Sequence, residues 1–212
     1  MSAQPDARPL FSVPLLPVER LLYQGELVCV GRFECPSGHA LFEDSGPTTT
    51  HCIVFPRSTV WIAHEGEPPF VADRTIVTLY NRNERYRRAR IDPRGDHADW
   101  IALAPEALHE IASTGDPDTP PDRPFNRHRS ACGPAAYLAE RSLIQHILRD
   151  TWPDRLLVEE TALRLAHALA GAAEGTTGPA RSRTLDLVEA TRALLAGSYT
   201  KRLSLRPLAR AL

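Results

Sequence analysis

The sequence predicts an α+β fold: a β-sandwich or small β-barrel, then a pair of α-helices, then a short helical segment. Three observations lead there. Residues 21–104 hold short β-rich runs broken by turn clusters about every ten residues. Residues 133–172 carry apolar side chains at helical spacing. A small, polar, glycine-rich stretch at 173–183 then separates that pair from a last amphipathic segment, 184–212.

Composition narrows the function classes. The chain has 212 residues, 42% hydrophobic and 24% charged, enough apolar content for a real core. A net charge of −1 provides no global field toward nucleic acid or an anionic membrane. Of its 25 basic residues only Lys201 is a lysine, which reads as the coding bias of a GC-rich genome. No apolar run reaches the roughly 18–20 residues of a membrane span. The N-terminus lacks a charged region followed by a long apolar stretch, so the expected compartment is the reducing cytoplasm. Cys29, Cys35, Cys52 and Cys132 then read as thiols or metal ligands rather than a disulfide framework.

Each element has its own signal. Residues 1–20 carry Pro5, Pro9, Pro14 and Pro17 and read as an arm lying on something else. Within the predicted barrel, 21–112, residues 27–35 alternate loosely. Val60 to His64 forms a run ending in the turn cluster Glu65-Gly66-Glu67-Pro68. Thr75 to Tyr80 is β-branched, 84–91 alternate, and Asp92 to Asp96 make a second tight turn before Trp100 to Leu103. Four prolines (117, 120, 121 and 124) make 113–132 a surface loop. Pro134 suits a first helical turn, and Leu138, Arg141, Leu143, Ile144, Ile147 and Leu148 form a stripe. A second helix spans about 153–172 through Leu156, Val158, Leu163, Leu165, Ala166 and Leu169, with acidic Asp154, Glu159 and Glu160 near its start. These faces exceed what one small barrel needs; the outlets are packing on the barrel or a helix–helix dimer contact.

The closing segment starts with a Thr184 cap and an apolar stripe through Leu187, Val188, Thr191, Leu194 and Leu195. Gly197 can end that helix, and Ser204 can cap a second one carrying Leu205, Arg206 and Leu208. Such a pair is how a helix-turn-helix opens, without the recognition helix that reads base edges.

The stretches FPRSTVWIAHEG (55–66), VADRTIVTLYNRNERYRR (71–88) and DPRGDHADWIALAPE (92–106) resemble the N-terminal cupin half of AraC-type transcription regulators. The resemblance continues through CGPAAYLAERSLIQHIL, LLVEETALRLAHAL and the final segment, in the order barrel, proline loop, helix pair, linker, helix-turn-helix start. It implies a cupin-like (jelly-roll) sensor barrel, a dimerisation hairpin at 133–172 and an incomplete DNA-binding domain at 184–212. It also implies a homodimeric, non-enzymatic regulator of transcription that responds to a small-molecule effector and meets DNA only in the intact protein. Ser204, Leu205 and Arg206 would begin the second helix of the first helix-turn-helix. In arabinose-type sensors of this family the arm acts as a lid, which implies the same for the segment around Pro9 to Pro17.

A small barrel can hold one ligand in its mouth. The aromatic candidates are Trp61, Tyr80, Tyr86 and Trp100; the polar ones are Arg57, His64, His97 and Asn81. A metal alternative joins Cys35 and His39, four residues apart, with Cys52 and His97, as a thiolate–imidazole set suited to Zn²⁺. That set would make the chain a zinc-binding cupin sensor; the further alternative is a metal-dependent cupin enzyme. The histidines lack the H-x-H plus carboxylate spacing such enzymes use. No G-x-S-x-G elbow or glycine-rich phosphate loop is present. The arginines at 82, 85, 87, 88, 90 and 94 do not form one basic face, because strand parity divides them; pairing with the protein's own carboxylates is the expected use.

Overall fold

The computed structural model describes residues 11–170, with residues 187, 188, 190–192, 194, 195, 204 and 206. The predicted linker and most of the predicted helix-turn-helix segment, Leu205 included, lie outside the described residues.

The chain is α+β with two antiparallel sheets. The larger sheet contains β1 (Glu19–Gln24), β2 (Val28–Cys35), β3 (Cys52–Pro56), β6 (Ile76–Tyr80), β8 (Asp96–Leu103) and β9 (Arg129–Ala131), in the order β1-β2-β8-β3-β6-β9. The smaller contains β4 (Val60–His64), β5 (Phe70–Ala72) and β7 (Tyr86–Arg90), in the order β5-β4-β7. The expected closed barrel does not form among the described residues. β4 pairs with β5 and β7 and not with its sequence neighbour β3, so each sheet keeps its own edges. Three helices are complete among the described residues: α1 (Pro105–Gly115), α2 (Pro134–Arg149) and α3 (Arg155–Ala170).

Strand parity divides the buried side chains between two cores. In β8, Ile101 and Leu103 face the helices, while Ala98, Trp100 and Ala102 face the smaller sheet. The same alternation sends Ile53 and Phe55 of β3 and Val77 and Leu79 of β6 toward the helices, and Cys52, Val54 and Ile76 toward the smaller sheet. The larger sheet is thus buried on both faces, with α1, α2 and α3 covering one and the three-stranded sheet covering the other. Val158, Ala162, Leu165 and Leu169 of α3 and Leu143, Ile144 and Ile147 of α2 complete the helix-side core.

Helix α1 departs from the expectation of strand and loop over this stretch. Pro105 occupies its first turn, where no amide partner is needed, and Leu108, Ile111 and Ala112 face inward. β9 lies inside the predicted proline loop and pairs with β6. The loop itself is clasped by buried Asn81, whose Nδ2 donates to the Phe125 carbonyl at 2.9 Å while its Oδ1 accepts from the Phe125 amide at 3.0 Å. Helices α2 and α3 join through His146, which bridges Asp150 (2.9 Å) and accepts the Asp154 amide (3.1 Å). Leu138, Leu148, Trp152, Leu156 and Leu157 remain exposed.

Candidate functional site

The space between the sheets holds a cavity of about 70 Å³, bounded on one side by the arm. Val13 and Leu16 line it, and Phe11 and Val18 pack on the same core. Among the described residues several hydrogen bonds tie this segment down, including the Glu34 amide to the Val18 carbonyl at 2.9 Å. Gln24 Nε2 donates to the Phe11 carbonyl (3.1 Å), Thr49 Oγ1 donates to the Pro14 carbonyl (3.0 Å), and the Leu16 amide donates to Glu19 (2.8 Å).

Three of the predicted pocket residues, Tyr80, Tyr86 and Trp100, meet at this cavity. Trp100 lies flat against Gly31, its partner across β2 and β8, where any Cβ would enter the indole ring. The buried Trp100 Nε1 has no hydrogen-bond partner. Arg88 also reaches the cavity. Its guanidinium lies 3.3 Å from Asp96, bonds the Tyr86 hydroxyl, and covers the Phe33 ring at 4.3 Å. Burial works against the Arg88 charge, but Tyr86 and Asp96 overcome it and raise its pKa. Burial also raises Asp96 and Glu19, the latter opposed by the Leu16 amide and Arg88, and lifts Tyr86 to about 12.

The other five predicted residues lie elsewhere, Asn81 among them on the Phe125 backbone. Trp61 points away from His64, because β4 alternates: Val60, Ile62 and His64 are buried while Trp61 and Ala63 are half-exposed. His97 likewise leaves the inner face of β8, its amide donating to Ser58 (2.8 Å). Arg57 turns to Asp99 at 2.5 Å. Asp99 is a buried hub that also receives Arg32 (2.7 Å) and Arg141 of α2 (3.0 Å). Among the arginines of the 82–94 run, Arg88 pairs with Asp96 and Arg94 with Asp92 at 2.8 Å.

The metal set Cys35, His39, Cys52 and His97 does not assemble. Cys35 sits beside Asp96 and Ile53 beside Ile101, which separates Cys35 from the start of β3 by roughly 17 Å along β8. His39 Nδ1 instead accepts the Leu41 amide at 3.1 Å. All four cysteines are free thiols. Burial pushes each thiol up, Cys29 and Cys132 to about 11, which disfavours the thiolate a metal would need.

His64 belongs to a group that sequence reading missed. It stacks on His128 with centroids 3.9 Å apart, and both rings approach Glu84. His128 had no signal of its own: it lies in the proline loop, brought here because its carbonyl accepts the Leu79 amide at 2.9 Å. Burial, then His128, pushes His64 down to about 3.

No protein-family model and no curated protein matches the chain. Solved structures do overlap it. Apo ToxT K231A from Vibrio cholerae strain SCE256 superposes with a TM-score of 0.47 at 8% identity, over 86% of this chain and 69% of that one. ToxT from the same strain, described as bound to an unsaturated fatty acid, gives 0.43 at 9%, over 88% and 69%. The AraC-like transcriptional activator CuxR gives 0.41 at 11%, over 86% and 65%. Superpositions this loose leave function to the chemistry of the chain's own site. No helix among the described residues is long and apolar enough to cross a membrane.

Proposed function

We propose that the chain is the sensing and dimerising portion of a ligand-responsive, AraC-type transcription regulator, with a cupin-like body and no enzymatic activity. One observation carries the reading: a cavity walled by a proline-rich arm and lined by Trp100, whose buried indole N–H has no hydrogen-bond partner. A water needs about 10–15 Å³ of such space and a benzene-sized cavity offers about 150 Å³, so 70 Å³ falls short of one aromatic ring while the arm is down. A larger effector therefore enters only when Val13 and Leu16 move. Its affinity differs between the arm-closed and arm-open states, which is the requirement for a population shift. The expected effector has an apolar body for Phe33, Val54 and Tyr80, and an acceptor for Trp100 Nε1 and Arg88.

Transmission has a candidate contact. Arg192, in the helical residues after the linker, donates to Asp73 Oδ1 (2.6 Å) and Thr75 Oγ1 (2.7 Å) at the β5–β6 turn. Dimerisation is assigned to α2 and α3, whose exposed Leu138, Leu148, Leu156 and Leu157 offer apolar surface to a second copy. DNA contact belongs to the intact regulator.

The test is a thermal-unfolding screen against small apolar molecules bearing a hydrogen-bond acceptor. A ligand at 100 times its Kd adds about 2.7 kcal/mol, or about 5–10 °C for a chain of this size. Trp100→Phe removes the N–H and keeps a ring, so it should lose most of that rise. A screen without any hit on the wild-type chain, or a hit indifferent to Trp100→Phe, rejects this pocket as the sensor.

A further inference from the structure

We propose that His64, Glu84 and His128 form a binding site for one divalent transition-metal ion of the zinc class. The Nδ1 atoms of His64 and His128 lie 3.9 and 3.6 Å from the same carboxylate oxygen, Glu84 Oε2. One donor atom from each residue can be chosen so that all three lie within 4.8 Å of one another. Zn–N and Zn–O bonds of about 2.0–2.2 Å place tetrahedral neighbours about 3.4 Å apart, so closure needs shifts of only a few tenths of an ångström to an ångström. The rings are stacked with 20° between their planes, and ligation turns one of them about χ2.

Three features separate this group from a chance meeting of polar side chains. His64 is 4% exposed, and neither of its ring nitrogens has a hydrogen-bond partner. An imidazole buried with both nitrogens unpaired costs free energy that a metal–nitrogen bond removes. The carboxylate is held from behind: Glu84 Oε2 accepts the Asn81 amide (3.0 Å) and Oε1 accepts Asn81 Nδ2 (2.9 Å). Such outer contacts orient a ligating carboxylate while leaving lone pairs free. The turn that presents Glu84 is itself fixed, with Asn83 in the left-handed region at φ 67° and the Glu84 amide donating to Thr48 Oγ1 at 3.0 Å.

The donors also select the ion. Two imidazoles and one carboxylate suit Zn²⁺, Fe²⁺ or Co²⁺, not Ca²⁺ or Mg²⁺, which want all-oxygen shells. Phe70, Tyr80 and Tyr86 surround His64 with rings, while the Glu84 and His128 side chains are 14% and 21% exposed and give solvent a route in. Three protein ligands leave a fourth position for water. Tyr80 and Tyr86 line the inter-sheet cavity and also pack their rings against His64, so the two sites share a wall. Metal binding nevertheless stands whether or not the cavity takes an effector.

The experiment titrates EDTA-stripped, EDTA-free protein with Zn²⁺ against a chromophoric chelator. One equivalent should bind and raise the thermal-unfolding midpoint. Glu84→Gln keeps the shape, and His128→Gln alters a partly exposed ring; each should weaken Zn²⁺ at least about tenfold. Cys35→Ser and Cys52→Ser should leave it unchanged. Metal-free midpoints report whether each variant is folded, and His128→Gln serves if Glu84→Gln is not. Co²⁺-loaded protein should show d–d absorption without a thiolate charge-transfer band. Absence of saturable binding, full affinity in a folded Glu84→Gln or His128→Gln variant, or a thiolate band overturns the site.

Discussion

Asp99 collects three arginines from three places: Arg32 on β2, Arg57 after β3 and Arg141 on α2. It is 1% exposed, so its removal leaves converging guanidinium groups without their anion. Asp99→Asn should cost about 3–5 kcal/mol in urea unfolding, and a loss below about 1 kcal/mol would mean the arginines find solvent instead. Glu140 lies beside this hub, also 1% exposed, its Oε1 3.8 Å from Arg141 Nη1. Burial and then the Asp99 charge raise its pKa above the ordinary 4.5. The unfolded chain ionises Glu140 from about 4.5 upward while the folded chain keeps its proton to higher pH. Its contribution to stability is therefore full below 4.5 and is lost as pH rises toward and through the raised value. Glu140→Gln should flatten that decline, read as urea midpoints between about pH 5 and 8. At the cavity, Gly31→Ala forces the Trp100 indole to move and should destabilise by about 1–3 kcal/mol with a change in tryptophan emission.

Among the elements, the arm and the helix pair carry the functional expectations. Leu16 covers the cavity yet is itself only half-buried. Leu16→Ala should lower stability by about 1–2 kcal/mol, below the range for full core truncation, while admitting larger ligands. An unchanged ligand preference in that variant would remove the arm from the sensing mechanism. On α3, Leu156 is 74% exposed and Leu157 45% exposed. Leu156→Glu should shift sedimentation equilibrium toward monomer without changing the unfolding midpoint of the monomer. A species of the same mass before and after would place any dimer contact elsewhere.

For the whole molecule, what periodicity could reach and what it could not divide cleanly. Composition and turn spacing were enough for α+β and for short turn-linked strands, and the β2, β4, β6 and β7 runs were legible because strand alternation depends on near neighbours. Parity by itself separates Trp61 from His64, which stand three apart on one strand and face opposite sides of it. α1 was obscured because its inward residues follow directly on a β-rich stretch. Pairing of sheets was beyond reach, since whether β4 joins β3 or β7 depends on contacts distant in sequence. The same holds for the two sites. Tyr80, Tyr86 and Trp100 could be nominated as buried aromatics, but Arg88 and Asp96 join them only because β7 and β8 lie on facing sheets. His128 meets His64 and Glu84 only because a proline loop, pinned by Asn81, ends in a strand on the edge of β6. Local sequence determines which side chains a strand or helix turns inward, because that follows from backbone geometry within a few residues. Tertiary structure decides which of those side chains meet, because burial is shared between segments tens of residues apart.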